Sequence, residues 1–283
     1  MLKIAVQKSG RLYEDSVRLL KECGLNIENG LNQLRTRVAN FDAEVFFLRN
    51  SDIPAYLEDG TVDIAIVGEN ILIEQNPEVE ILEKLGFSKC RLSIAVPKNM
   101  DYEGIQSLHG KKIATSYPNS LERYLREKNI QADIHFISGS VEIAPNIGLA
   151  DAVCDLVSSG STLFNNGLEE KDVLLRSEAC IAANKTSLIQ QSEGIEDLIF
   201  RINSVLKGRA HKYILFNIPD ERVADAGAIL PVLKSPTILP LLEPGWCSMH
   251  SVIKTSEFWP VICKLKACGA EGILVVPIEN MVI

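Results

Sequence analysis

The sequence predicts an α/β protein: two lobes of alternating strands and helices that face a cleft, then a small βαββαβ domain. Three observations carry this. Short apolar runs alternate with amphipathic stretches over the first two hundred residues, the pattern of parallel sheets covered by helices. Several of these runs end in a Gly-containing loop that opens a helix, the corner such units need. After Gly208 the order changes to strand, helix, two strands, helix, strand. Residues 1–96 with a return segment 173–207 are expected to form the first lobe, 97–172 the second, and 208–283 the third domain.

Composition narrows the classes. A chain of 283 residues that is 46% hydrophobic and 23% charged can bury cores for more than one domain. A net charge of −8 argues against a broad nucleic-acid surface. A polyanionic ligand would then need locally placed cations or a divalent metal. The start, MLKIAVQKSG, has no secretory h-region, and no stretch has the apolar length of a membrane span, so a cytoplasmic location is expected. The seven cysteines contain no CxxC pair, which fits a reducing compartment. Cys90, Cys154 and Cys263 are read as core residues, and the four histidines show no ligand spacing.

In chain order, residues 2–6 read as a strand, Gln7 to Arg11 as a loop, and 12–23 as a helix with Leu12, Val17, Leu19 and Leu20 on its apolar face. The loop carries Lys8, Gly10 and Arg11. It is either a solvated turn or a clamp on phosphate oxygens, with Arg11 as a bidentate donor. Residues 43–48 form the next strand, Arg49 stands at its end, and Ser51 or Asp52 caps a short helix. Residues 63–70 read as a strand with a turn at Gly68, and Glu69 leads into a helix. The Asp63–Gly68 separation repeats that of Asp155 and Gly160. That is either an echo between lobes or the glycine any parallel unit needs.

Residues 90–97 form a strand with Arg91 near its start, expected to cross between lobes. Residues 112–115 form another, and Ser116-Tyr117-Pro118 opens a helix to 128. Tyr117 either stacks on a base or is a packed surface ring. A strand over 134–138 leads into the most informative stretch, EIAPNIGLADAVCDLVSSGSTL, residues 142–163. Residues 152–157 are a buried strand with one acid, Asp155. Ser158, Ser159, Gly160, Ser161 and Thr162 follow, then a short helix closed by Gly167. Backbone N–H groups, hydroxyls and a helix N-terminus meet there, so the loop is either an ordinary strand-to-helix turn or a seat that suits a phosphate. Asp151 and Asp155 flank the strand as acceptors for sugar hydroxyls or metal-bound water. Residues 173–183 run apolar back to the first lobe, and a helix over 190–206 ends at Gly208. The remaining elements have the order of the ferredoxin-like motif.

Glu142, Gly148, Ala150, Val153, Asp155, Leu156, Ser159, Gly160, Thr162 and Leu163 stand at offsets that resemble the signature of the ATP phosphoribosyltransferase family, which opens histidine biosynthesis. QKSGRL resembles its N-terminal motif, and DIAIVGEN, IATSYP and SPTILPL extend the likeness along the chain. The two lobes resemble the periplasmic-binding-protein architecture, and the third domain resembles the regulatory domain of the family's long form. The resemblance implies transfer of phosphoribosyl from phosphoribosyl pyrophosphate to N1 of ATP, with Mg²⁺ on the leaving pyrophosphate. Lys8, Arg11 and Arg49 would be catalytic cations. Gly10, Gly68, Glu69, Tyr117, Glu142, Asp151, Asp155 and the run Ser158 to Thr162 would bind substrate. Leu233, Thr237 and Gly272 would lie near a histidine effector. AMP would be a second inhibitor, and copies of the chain would assemble as dimers and hexamers. The competing reading is a ligand sensor or solute-binding protein. The absence of an export signal and of a helix-turn-helix pattern counts against it.

Overall fold

The computed structural model describes residues 1–28, 33–230 and 235–282. The chain divides into two compact units, Met1–Lys21 with Leu25–Ile195, and Glu22–Gly24 with the residues from Glu196 onward. In the first unit β1 (Leu2–Gln7), β2 (Arg35–Arg37), β3 (Ala43–Leu48), β4 (Ile64–Gly68) and β5 (Val79–Lys84) belong to one sheet. The chain then crosses to a second sheet as β6 (Cys90–Pro97), β7 (Lys112–Thr115), β8 (Asp133–Phe136), β9 (Ala152–Val157) and β10 (Leu168–Ser177), and returns to the first as β11 (Ala179–Asn184). The orders are β2-β3-β1-β4-β11-β5 and β10-β6-β9-β7-β8. This is the two-lobed architecture expected. Every residue of β4 and β11 is buried, because both strands are flanked by neighbours and covered on both faces.

Two expectations are corrected by the pairing. The strand β6, placed up to residue 96 in the first lobe, hydrogen-bonds to β9 and β10 in the second sheet. Its buried run Leu92–Val96 needs cover on both faces, and the second lobe supplies it. The apolar run 173–183 is two strands in different sheets, parted at Glu178. β2 and β5 have no apolar signature in the sequence because they are edge strands with exposed residues.

Parallel β1, β3 and β4 end on one edge of the first sheet, at Lys8, Arg49 and Glu69. Parallel β7, β8 and β9 likewise end together, at Ser116, Ile137 and Ser158. The lobes are joined through the helices that follow β4 and β7, Glu69–Gln75 and Pro118–Glu127. The buried carboxylate of Glu74 accepts the backbone N–H of Asn119 and of Ser120, each at 2.8 Å. A side chain of one lobe thus caps a helix of the other.

The second unit holds β12 (His211–Pro219), β13 (Thr237–Pro240), β14 (Trp246–Lys254) and β15 (Glu271–Pro277), antiparallel in the order β13-β14-β12-β15. With helices Val223–Ile229 and Phe258–Ala267 this is the ferredoxin-like topology expected. Phe216, Ile218, Met249 and Leu265 fill its core. The helix Ser192–Ala210, assigned to the first lobe as far as 207, joins this unit from Glu196. Gly208 does not end it. A Cβ there would lie 2.7 Å from the Glu279 carbonyl oxygen and 2.8 Å from that of Ile278, so this glycine serves close backbone approach. Cys263, read as core, is exposed.

Candidate functional site

On the first lobe, the backbone N–H of Lys8 donates to the Leu48 carbonyl at 2.8 Å. That bond ties the loop after β1 to the end of β3, where Arg49 follows. Gly10, with φ of +85°, turns the chain into the helix Arg11–Glu22. Lys8, Arg11 and Arg49 are exposed, and none forms an ion pair among the described residues. Three free cations on one sheet edge, in a chain of net charge −8, form a local anion-attracting surface.

On the second lobe, Ser158, Ser159, Gly160 and Thr162 line a cavity of about 130 Å³ with Glu142, Asp155, Leu156, Val157 and Leu163. Gly160 has φ of +81° and stands directly before the helix Ser161–Asn165. The hydroxyls of Ser159 and Ser161 lie 3.0 Å apart. The backbone N–H groups of Gly160, Thr162 and Leu163 have no acceptor among the described residues. The helix is only five residues long, so the groups that could attract an anion here are loop amides and hydroxyls more than a helix dipole. Burial pushes the Asp155 carboxyl up to about 6, against the N–H of Leu156 at 2.8 Å, and the Glu142 carboxylate adds to the rise.

Other expected residues lie elsewhere or are engaged. Asp151 is at the opposite end of β9, where it accepts the Lys112 N–H at 2.8 Å and lines a separate cavity with Lys111 and Lys112. It does not join Asp155 at the loop. Glu69 forms an ion pair with Lys84 at 2.8 Å. Tyr117 packs on the second-lobe core, and its hydroxyl accepts from Asn70 Nδ2 at 3.2 Å. Burial, then the Asp155 charge, raises the Tyr117 phenol well above its ordinary value. Gly68 is in extended conformation, unlike Gly160, and a Cβ there would meet Asn70 Oδ1 at 2.4 Å. Asp63 is buried at the start of β4, accepting from Ser187 at 2.7 Å and the Lys3 N–H at 2.8 Å. The repeated spacing is therefore no echo of the site. Asn70 and Glu74 were missed from sequence: each is one polar residue in a helix, and only the fold sets it against the other lobe.

In the second unit, Thr237 is on β13 and Gly272 on β15, the two outer strands of its sheet. Three interstrand steps of about 4.8 Å separate them, so one copy of the sheet does not bring them together. Leu233 lies outside the described residues.

Residues 49–204 match the family model described as ATP phosphoribosyltransferase, and residues 209–280 match that of the HisG C-terminal domain. The chain belongs to the ATP phosphoribosyltransferase family. It is 54% identical over 282 residues to the ATP phosphoribosyltransferase of Cytophaga hutchinsonii, covering 100% of this chain and 99% of that one. Identity to the Bacteroides fragilis ATP phosphoribosyltransferase is 48% over 283 residues, covering all of both. Among solved structures, the ATP phosphoribosyl transferase (HisG:HisZ) complex from Thermotoga maritima matches with a TM-score of 0.62 and 30% identity, over 72% of this chain and 99% of that one. The chain is thus a transferase of the pentosyltransferase class. No described helix is long and apolar enough to cross a membrane.

Proposed function

We propose that the enzyme transfers phosphoribosyl from phosphoribosyl pyrophosphate to N1 of ATP, releasing pyrophosphate, as the first committed step of histidine biosynthesis. The observation that carries this is the cavity at Ser158–Thr162, where loop amides without an acceptor among the described residues, and hydroxyls that bond only to one another and to the loop, stand beside two carboxylates. The reaction is a displacement at an anomeric carbon with developing positive charge on the sugar, so it needs positioning and charge compensation more than a protein nucleophile. Ser159, Gly160, Ser161 and Thr162 hold the 5-phosphate. Asp155, largely ionised above about pH 6, accepts from a ribose hydroxyl. Lys8, Arg11 and Arg49 bind the pyrophosphate and nucleotide phosphates from the first lobe.

The described residues include no group of three or more His, Cys, Asp or Glu side chains arranged to hold a metal ion. The donor set fits Mg²⁺ bound mainly through substrate phosphates, with Glu142 and Asp155 as protein oxygens beside it. When bound, the ion neutralises charge on the departing pyrophosphate.

The same reading makes histidine a feedback inhibitor acting on the second unit, AMP a competitor for the nucleotide, and further copies of the chain the assembly partners. Exposed apolar residues on the outer strands, Ile238 and Leu239 on β13 with Leu274, Val275 and Val276 on β15, support assembly. Mixing the protein with ATP, Mg²⁺ and phosphoribosyl pyrophosphate and following ultraviolet absorbance tests the reaction. An absorbance change that needs all three supports it; no change, or a change with another base in place of ATP, overturns it.

A further inference from the structure

The phosphate loop is tied to the sheet by a side chain that the proposed reaction does not use. Arg91 on β6 lies opposite Val157 on β9, one residue before the loop begins. Its Nη1 donates to the carbonyl oxygen of Ser158 at 3.3 Å. Its Nε and Nη2 both donate to the carboxylate of Glu170 on β10, in the two-pronged geometry that fixes a guanidinium most firmly. Glu170 also accepts from the Ser93 hydroxyl at 2.7 Å, and Ser93 lies opposite Asp155. Arg91 and Glu170 are largely shielded, with 27% and 23% of their side chains exposed, so solvent weakens the pair less than it would a surface pair.

We propose that Arg91, held by Glu170, is a positioning residue for the sugar-phosphate seat, fixing the Ser158 carbonyl toward β6 so that the following amides stay turned to the ligand. This rests on the reading of Ser158–Thr162 as that seat. A peptide carbonyl swung into the cavity would present its negative end to an anion, and one peptide rotation reverses the sign of the contact. Arg91 holds that peptide. Glu170 holds Arg91 and cancels its charge, so the guanidinium is not itself drawn onto the phosphate. The Glu170 carboxyl is accordingly held below its ordinary range, first by its bonds from Arg91. Neither residue stands out in the sequence: the arginine is a cation near a strand start, and the acid sits in a run of charged residues.

The test compares full-length Glu170→Gln, Arg91→Lys and the double variant with wild type. Glu122→Gln, which breaks an exposed ion pair with Arg126 in the same lobe, is the control. Glu170→Gln and Arg91→Lys are each expected to raise KM for phosphoribosyl pyrophosphate on the order of tenfold, the loss of about one charge-assisted bond. KM for ATP should stay within about twofold. The double variant should be little worse than either single one, because the two residues act as a unit. Hydrogen exchange at the amides of Phe164, Asn166 and Gly167, which donate to the carbonyls of Gly160, Thr162 and Phe164 and so depend on the loop's order, should quicken in both single variants and not in the control. An equal rise in both KM values, or unchanged loop exchange, overturns the brace. If the wild type transfers no phosphoribosyl group at all, the proposed reaction falls. The exchange measurement, which needs no substrate, still decides whether Arg91 and Glu170 order the loop.

Discussion

Asp155→Asn should make the protein more stable and the enzyme worse. The native state holds this carboxyl at about 6 against an ordinary 3.8, chiefly through burial. At 1.36 kcal/mol per pH unit, keeping it ionised at pH 7.5 costs about 3 kcal/mol. The asparagine escapes that cost but gives a weaker acceptor to the Leu156 N–H, a loss of about 1 kcal/mol, and its own amide must be desolvated. The net gain is about 1–2 kcal/mol, or about 3–6 °C in Tm for a unit of this size. The sign follows from linkage. The folded pKa is raised, so the stability that Asp155 contributes is full below about 3.8 and is lost as pH rises through about 6. The advantage of asparagine should therefore be complete above about pH 6 and close as pH falls toward 3.8. Calorimetry of both proteins from pH 4 to pH 7.5 reads this directly. An Asp155→Asn protein less stable than wild type at pH 7.5, or a gain that ignores pH, would refute the account of this carboxylate. In the same samples kcat/KM for phosphoribosyl pyrophosphate should fall by about one to two orders of magnitude, as a sugar hydroxyl loses a charged acceptor.

Three further substitutions separate the parts of the site. Gly68→Ala places a methyl 2.4 Å from Asn70 Oδ1, and that side chain is pinned by Ser177 at 3.1 Å and Tyr117 at 3.2 Å. It should destabilise by about 1–3 kcal/mol in denaturant unfolding, where an unchanged midpoint would show that Asn70 moves freely. Arg49→Ala should lower kcat/KM by about 1.5–3 kcal/mol, the worth of a positioned charge–phosphate contact, and unchanged turnover would remove Arg49 from the cation edge. Asp151→Asn should leave both KM values within about twofold, since its carboxylate serves the Lys112 N–H at the far end of β9. A tenfold loss would restore it to the site.

The lobes and their strands were legible because buried central strands read as unbroken apolar runs, as in residues 152–157 and 64–68. The strand–loop–helix corner at residues 152–165 was legible because a glycine between serines directly after an apolar run marks a turn, and Gly160 takes the positive φ such a turn asks for. Asp151 and Asp155 could not be told apart in the same way. Both flank one strand, but four residues of extended chain put about 13 Å between them, and only one reaches the loop. Glu69 looked free until sheet pairing set it beside Lys84. Gly208 looked like a helix stop, whereas it marks where the chain near residue 279 lies against the helix. The edge strands β2 and β5 were missed because half-exposed strands lack the apolar excess that betrays central ones.

Titration calorimetry of phosphoribosyl pyrophosphate into wild type and Gly160→Asp, with Mg²⁺ and without ATP, tests the phosphate seat most directly. Gly160 sits at φ of +81°, so the substitution both strains the turn and puts a carboxylate where the phosphate is held. The wild type should bind and the variant should show no measurable heat, with its Tm within a few degrees of wild type. Equal affinity in the two proteins would mean that the sugar phosphate is held elsewhere.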